Sequence, residues 1–483
     1  MAEKQLGGVK GGGIWTSIGA LVGAGAQFAA VGSVAFFLDP LASGEFAIAL
    51  FLIGFLSVML PLGNDFAIVM RRSISRPELT GIIVRAVALT VLALLICVGI
   101  YAFVPSATQG FRESTAIISI ISGLSESVVL IIVAVKQRDL KYKEIEISNI
   151  IRYSLFAILS IGLLLVWHDV IGAIIARIVG SVVAIVLLMR NLPLNTESEE
   201  HPKDNTARDI TLKNIVNYLS MNAEILAASP KLGIAGIGLY DFGRRLVAQP
   251  RNLIGTVVFK FTFPLFSRIS RITRAASRER AFRLVYVGAV RAALIFGLPI
   301  IGVISILTQK WLAVIFGAEW TAAVSVVQVF ALTSIIQIVG NNLITAALTA
   351  RGKANIILMS EVISVLPRMG VIYLASFYGV TAVAVMTGVF IVFKIISMQY
   401  LLFKFSSLRA GHLLKAIMPV IGIFVIAWGS GLLVDHGIPG IPGTILSLLI
   451  YSIMYLAGIY IFERKVADDM IHNVRKIVTK AAK

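Results

Sequence analysis

Apolar runs of about 18 residues or more recur from one end of this chain to the other, broken by short polar intervals crowded with lysine and arginine. Each run is long enough to cross a bilayer core of about 30 Å as a helix. The pattern predicts fourteen spans, at residues 14–38, 46–70, 81–104, 114–135, 145–167, 170–189, 214–230, 236–266, 284–308, 321–348, 355–377, 379–403, 416–434 and 443–462. The longest polar interval covers only 190–213, so no soluble domain fits between spans. The expected fold is therefore an all-α polytopic membrane protein.

The polar intervals also predict orientation. One side carries Lys4 and Lys10, Arg71, Arg72 and Arg76, and the bases of 136–143, 190–213, 268–283, 351–353, 404–415 and the tail beyond 464. The alternate intervals carry only Arg112, Lys231 and Lys310. Basic loops stay on the cytoplasmic side, which puts both termini there and requires an even number of spans. Opposite-side connections such as Asp39-Pro40, His168-Asp169 and Tyr378-Gly379 are short turns. The start lacks a cleavage site after a short apolar core, so the first span is expected to be retained.

Spans and links divide into an N-terminal lobe (1–190, spans one to six), a polar linker (191–213), a C-terminal lobe (214–403, spans seven to twelve), a terminal helix pair (404–463) and a basic tail (464–483). Faint internal similarity accompanies this division. Gly44-Glu45-Phe46 is echoed by Gly238-Leu239-Tyr240, and Gly110-Phe111-Arg112-Glu113 by Gly317-Ala318-Glu319-Trp320. Repeated lobes are common in secondary transporters, with the substrate near mid-membrane.

Composition sharpens the class. The 483 residues are 58% hydrophobic and 14% charged, with a net charge of +18, against about 25% charged in soluble domains. Basic clusters separated by apolar helices form no groove-reading surface, which argues against nucleic acid. Cys97 is the lone cysteine, so no intrachain disulfide can form. The five histidines lie scattered without metal spacing, and no nucleophile-elbow or phosphate-loop motif appears, so no cofactor is expected.

The candidate chemistry lies in bases deep within spans: Arg177, Arg244, Arg245, Arg251, Lys260, Arg291, Arg368 and Lys394. Each costs roughly 2.5–3.5 kcal/mol at a helix centre and so faces a partner or a wet cavity. Arg244 and Arg251 share a helix face. They and Arg245 form a candidate cationic wall, with Arg177, Arg291 and Arg368 as further anion contacts. Ion pairing is the competing reading, with Glu126 open to Arg177, Asp241 to Arg244 or Arg245, and Glu361 to Arg368. The span acids Asp65, Glu126 and Glu224 are either coupling-ion sites or counter-ions. The basic run 268–283 is either a topology determinant or a lipid-head-group contact.

Several segments in order resemble the polysaccharide transporter family, the Wzx-type oligosaccharide-lipid flippases of the multidrug/oligosaccharidyl-lipid/polysaccharide superfamily. They are Leu38-Asp39-Pro40 with Gly44-Glu45-Phe46, the 136–143 segment beginning Lys136-Gln137-Arg138, Gly238-Leu239-Tyr240, Phe263-Pro264-Leu265-Phe266, and Phe316-Gly317-Ala318-Glu319-Trp320. Glu224 departs from the aspartate that relatives often carry. The resemblance implies two six-helix lobes, a central cationic cavity with alternating access, a bacterial inner-membrane location and an undecaprenyl-pyrophosphate-linked oligosaccharide as cargo. It also implies lipid contacts and partnership with a periplasmic polymerase and other polysaccharide-assembly proteins. Two other readings stand beside it, a drug/organic-cation antiporter of the same superfamily and a membrane enzyme acting on the lipid carrier. Tiny far-side loops and the missing catalytic cluster weigh against the enzyme.

Overall fold

The computed structural model describes residues 2–70, 73–103, 110–190, 192, 206–270, 272–438 and 440–480, with side chains between 18 and 462 apart from scattered positions. Arg71, Arg72, Lys203, the side chains of Lys4, Lys10, Arg208 and Lys260, and those of the basic tail lie outside the described residues. Every described element is helical. In chain order they are α1 (Ala2–Phe37), α2 (Pro40–Met59), α3 (Asn64–Met70), α4 (Arg76–Phe103), α5 (Glu113–Arg138), α6 (Tyr142–Trp167), α7 (Val170–Met189) and α8 (Thr206–Met221). Then follow α9 (Ala223–Ser270), α10 (Ala275–Phe316), α11 (Thr321–Val339), α12 (Thr345–Ala350), α13 (Ala354–Ser376), α14 (Val380–Lys404), α15 (Ala410–Gly437) and α16 (Gly440–Lys480).

Among the described residues, eleven helical segments are long and apolar enough to cross a membrane. The other three expected spans fall on α1, whose apolar stretch is the shorter Leu21–Phe37, and on α8 and the charge-dotted α9. Large apolar side chains point outward along these helices. Leu95, Ile158 and Phe393 are each about two-thirds exposed, as a hydrocarbon solvent allows and water does not. The chain is a multi-pass membrane protein.

Three expected spans are not single helices. The second is cut into α2 and α3 by a turn in which Leu62 and Gly63 take left-handed φ values of 50° and 72°. Pro61 just before them has no N–H to continue the ladder. The seventh is interrupted between Met221 and Ala223, and α9 itself loses helical geometry at Gly233 (φ 66°, ψ 178°). The tenth carries a π-turn, Gly340–Ile344, between α11 and α12. Such turns mark functional sites more often than chance.

The helices gather into two compact units, 1–242 with 372–379, and 243–371 with 380–483. In the first, α5 is the central helix, packed by α2, α3, α4 and α7, while α6 lies between α1 and α7. Its core joins Phe46, Ile53, Phe156, Leu164 and Ile174. The two glycine-aromatic motifs meet here: a Cβ on Gly44 would strike the Ile234 carbonyl, and one on Gly238 the Pro40 carbonyl. Two helices can approach this closely only without side chains at the crossing.

The turns of this unit are fixed by polar groups. Asp39 and Asp169 cap α2 and α7 by accepting from the amides of Ala42 and Ile171, each at 2.8 Å. Arg112, just before α5, donates to Glu45 at 2.8 Å and to Asp169 at 2.6 and 2.8 Å. The bonds from Arg112 hold the Asp169 carboxyl below its ordinary value. At the basic end, fully buried Lys136 donates to Glu144 (2.5 Å) and to the Arg190 carbonyl (3.0 Å). That ties the α5–α6 turn to the end of α7.

In the second unit α10 packs on α11, α15 and α16, and α11 on α14. Hydroxyls of Tyr451 and Tyr455 donate to backbone carbonyls of α10, at Leu298 (3.2 Å) and Ile295 (3.0 Å). Lys310 pairs with buried Asp435 at 3.1 Å, closing the far end of α10 against α15.

Candidate functional site

Intramembrane charge in the first unit gathers on α5, α6 and α7. Glu126 is 8% exposed and stands where α5 faces both neighbours. Arg152 of α6 donates to it at 2.9 Å, Arg177 of α7 approaches it at 3.0 Å, and the Ser181 hydroxyl donates to it at 3.1 Å. Arg152 further donates to the Tyr153 hydroxyl at 2.7 Å, and Arg177 lies over the Phe156 ring at 5.7 Å. Two guanidiniums share one carboxylate, so the cluster keeps a net positive charge. Of the two, Arg152 is the more buried; the Arg177 side chain is 22% exposed.

In the second unit Arg251 of α9 takes a neutral partner. It donates to the Gln337 side-chain oxygen at 2.5 Å and to Asn252 at 3.2 Å. Gln337 is itself buried and donates to Thr333 one turn earlier on α11, at 3.3 Å. Among the described residues no carboxylate meets Arg251, and Arg244 lies two turns earlier on the same helix. The π-turn begins three residues after Gln337, and its Asn342 presses against Gly255, one turn beyond Arg251 on α9.

Arg244, Arg245, Arg291 and Arg368 are all half-buried, like Arg177 and Arg251. Glu361, expected near Arg368, receives the Lys394 ammonium. Glu224 is buried in the first turn of α9. Asp65 is half-buried in the first turn of α3. Since α2 before it is already about 30 Å long at 1.5 Å per residue, Asp65 sits towards the basic edge rather than mid-membrane.

Two participants escape a reading of the sequence by the eight span bases. Arg152 belongs with them, seven residues into the fifth apolar run, and a full count of span bases finds it; exposed Arg85 is the other omission. Gln337 carries no charge, and only its one-turn spacing from Thr333 marks it. No group of three or more metal-ligating side chains occurs among the described residues.

The fold is that of known membrane transporters. The chain superposes on the lipid II flippase MurJ in an inward closed conformation with a TM-score of 0.70, 94% of this chain covering 99% of that one at 14% identity. An inward-facing multidrug resistance MATE family transporter gives 0.61, with 78% of this chain on 93% of that one, also at 14% identity. In sequence, the lipopolysaccharide biosynthesis protein WzxC of Escherichia coli (strain K12) is 22% identical over 369 residues, 74% of this chain and 72% of WzxC. The teichuronic acid biosynthesis protein TuaB of Bacillus subtilis (strain 168) is 25% identical over 142 residues, 29% of this chain and 28% of TuaB. By their names, the two sequence relatives are polysaccharide-biosynthesis proteins and the two structural neighbours a flippase and a transporter. Residues 34–325, more than half of the sequence, match the family model described as polysaccharide biosynthesis protein, and the chain belongs to that family.

Proposed function

We propose that this protein is a flippase that moves a polyprenyl-pyrophosphate-linked oligosaccharide, of the undecaprenyl type, from the cytoplasmic to the periplasmic leaflet of the bacterial inner membrane. In this reading fourteen spans form two six-helix lobes (1–190 and 214–403) and a terminal pair, with both termini cytoplasmic. Alternating access passes the glycan and pyrophosphate through a wet cationic cavity while the prenyl tail stays in lipid. A periplasmic polymerase and other assembly proteins then take up the product. The likeness to WzxC and the MurJ-like fold support the class of cargo.

The observation that carries the reading is Arg251 held by an amide. A guanidinium oriented by Gln337 is positioned yet keeps its full charge, and guanidinium meets phosphate oxygens through two parallel charge-assisted bonds. Arg244 adds charge along the same helix, and Arg177, Arg245, Arg291 and Arg368 are the further proposed contacts. Asp65, Glu126 and Glu224 remain the proposed coupling-ion positions, with Glu126 already engaged by two arginines.

The MATE-like fold raises a second reading, export of organic cations. An arginine retained without a carboxylate opposes it, because cationic cargo requires the reverse balance. Reconstituted protein should translocate a polyprenyl-pyrophosphate oligosaccharide, and Arg251→Ala should slow that at least tenfold with normal folding. Unchanged translocation by the variant removes Arg251 from the site; absence of translocation by the parent protein overturns the function.

A further inference from the structure

Away from the proposed arginine contacts, the second unit holds a cavity of about 440 Å³ at helix ends where basic intervals gather. It forms where the end of α9, the start of α10, the turn after α12 and the end of α14 converge. Its key lining residues are Arg278, Glu279, Phe282, Arg351, Lys353 and Phe405. Three cations face a single carboxylate.

That carboxylate is already used. Arg351 donates to both Glu279 oxygens at 3.0 Å and to the Phe405 carbonyl, and lies over the Phe282 ring at 4.0 Å. Glu279 also accepts from the Ser407 amide at 2.9 Å. Arg351 and Glu279 therefore form the frame of the pocket and cancel each other. Arg278, half-buried, and Lys353, exposed and 5.3 Å from the Phe405 ring, supply the charge left for a ligand. A pocket of this size suits a small polar group with an apolar flank.

The surface beside the pocket points to what kind of anion enters. α13 begins directly after Lys353 and carries Met359, Val362, Ile363 and Leu366 on one face, 65%, 48%, 66% and 74% exposed. A free phosphate has no use for that strip; acyl chains do. We propose that this pocket binds the phosphate of an anionic phospholipid of the adjacent leaflet. Arg278 and Lys353 contact the head group, aromatic rings flank the glycerol, and the tails lie along α13. Basic pockets between helices on this side of a membrane suit such head groups. The site is separate from the proposed cargo contacts and stands whether or not those hold.

The test uses the full-length protein in neutral detergent, with dioctanoyl phosphatidylglycerol, dioctanoyl phosphatidylcholine and inorganic phosphate as probes. Native mass spectrometry and thermal unfolding serve as readouts. Phosphatidylglycerol should bind and stabilise, and the other two should not at the same concentration. Arg278→Gln or Lys353→Gln should each weaken that binding about fivefold and the pair about 25-fold. Arg278→Lys with Lys353→Arg should keep most of it, which separates lost charge from lost packing. Equal stabilisation by inorganic phosphate would make this a phosphate site and overturn the lipid. Equal binding of phosphatidylcholine, or undiminished phosphatidylglycerol binding by the double glutamine variant, would overturn the site.

Discussion

In the first unit the Arg177 guanidinium reaches a carboxylate, Glu126, and shares it with Arg152; in the second, Arg251 reaches the amide of Gln337. Both arrangements orient a guanidinium inside an apolar bundle, but they treat its charge differently. A carboxylate cancels charge and contributes rigidity, so the first cluster is largely scaffold with a residual surplus. An amide directs the guanidinium and leaves its charge to be compensated by whatever occupies the site. Under the proposed function, the second unit's Arg251 is the main proposed anion contact and the first unit's partly exposed Arg177 a lesser one.

Removing the shared acid should have the largest effect on folding. Glu126→Ala leaves two guanidiniums facing each other in a buried site, and stranding a partner of this kind costs about 3–5 kcal/mol. Gln337→Ala loses one hydrogen bond to a charged group, about 1.5–3 kcal/mol. Thermal unfolding in detergent should rank them in that order. Equal losses would mean that the two clusters are built alike.

The sharpest change is Gln337→Glu, which gives the second unit the chemistry of the first. A carboxylate at the amide position pairs with Arg251, so folding should be kept while translocation falls roughly tenfold, about 1.4 kcal/mol of lost transition-state binding. Retained translocation would show that Arg251 does not need its free charge. A destabilised variant would show that the amide fits the site better than an acid.

Much of the all-helical fold was readable because hydropathy reports span length. Among the described residues, eleven of the expected spans overlap helical segments long and apolar enough to cross a membrane; the one expected at 214–230 is instead broken at Asn222. Breaks inside runs were less readable. Pro61-Leu62-Gly63 and the Gly340-Asn341-Asn342 of the π-turn are local marks inside long apolar runs, which a hydropathy average passes over. Glycine-aromatic pairs were legible as echoes, but their meeting at Gly44 and Gly238 needs three dimensions. For the charges, sequence supplies depth and sign. It cannot say whether a guanidinium finds an acid or an amide, since Gln337 lies 86 positions from Arg251.

Within the first cluster, Arg152 and Arg177 should separate by a smaller margin. Arg152 holds both Glu126 and Tyr153 and is nearly buried, whereas Arg177 keeps an exposed edge. Arg152→Ala should therefore cost about 1 kcal/mol more stability than Arg177→Ala, one hydrogen bond's worth. Arg177→Ala should show the larger loss of translocation relative to its loss of stability. The opposite ranking would move the scaffold role to Arg177.

The smallest expected effect concerns the turn end of the same unit, where charge is structural and meets solvent. Arg112 holds Asp169 below its ordinary value, chiefly through their hydrogen bonds. A carboxyl depressed on folding stabilises above its unfolded value of about 3.9 and loses that contribution as pH falls through its folded value. Asp169→Asn keeps a side-chain oxygen for the Ile171 amide and for one Arg112 N–H, and removes the charge and the second Arg112 bond. The variant should melt slightly below the parent at pH 7, by up to about 1 kcal/mol for a partly exposed pair. The gap should close as pH drops below about 4. A gap that does not shrink at all from about pH 4 down to the lowest pH at which the parent stays folded would mean that the turn is held by the cap and by packing, with Arg112 contributing through Glu45 alone.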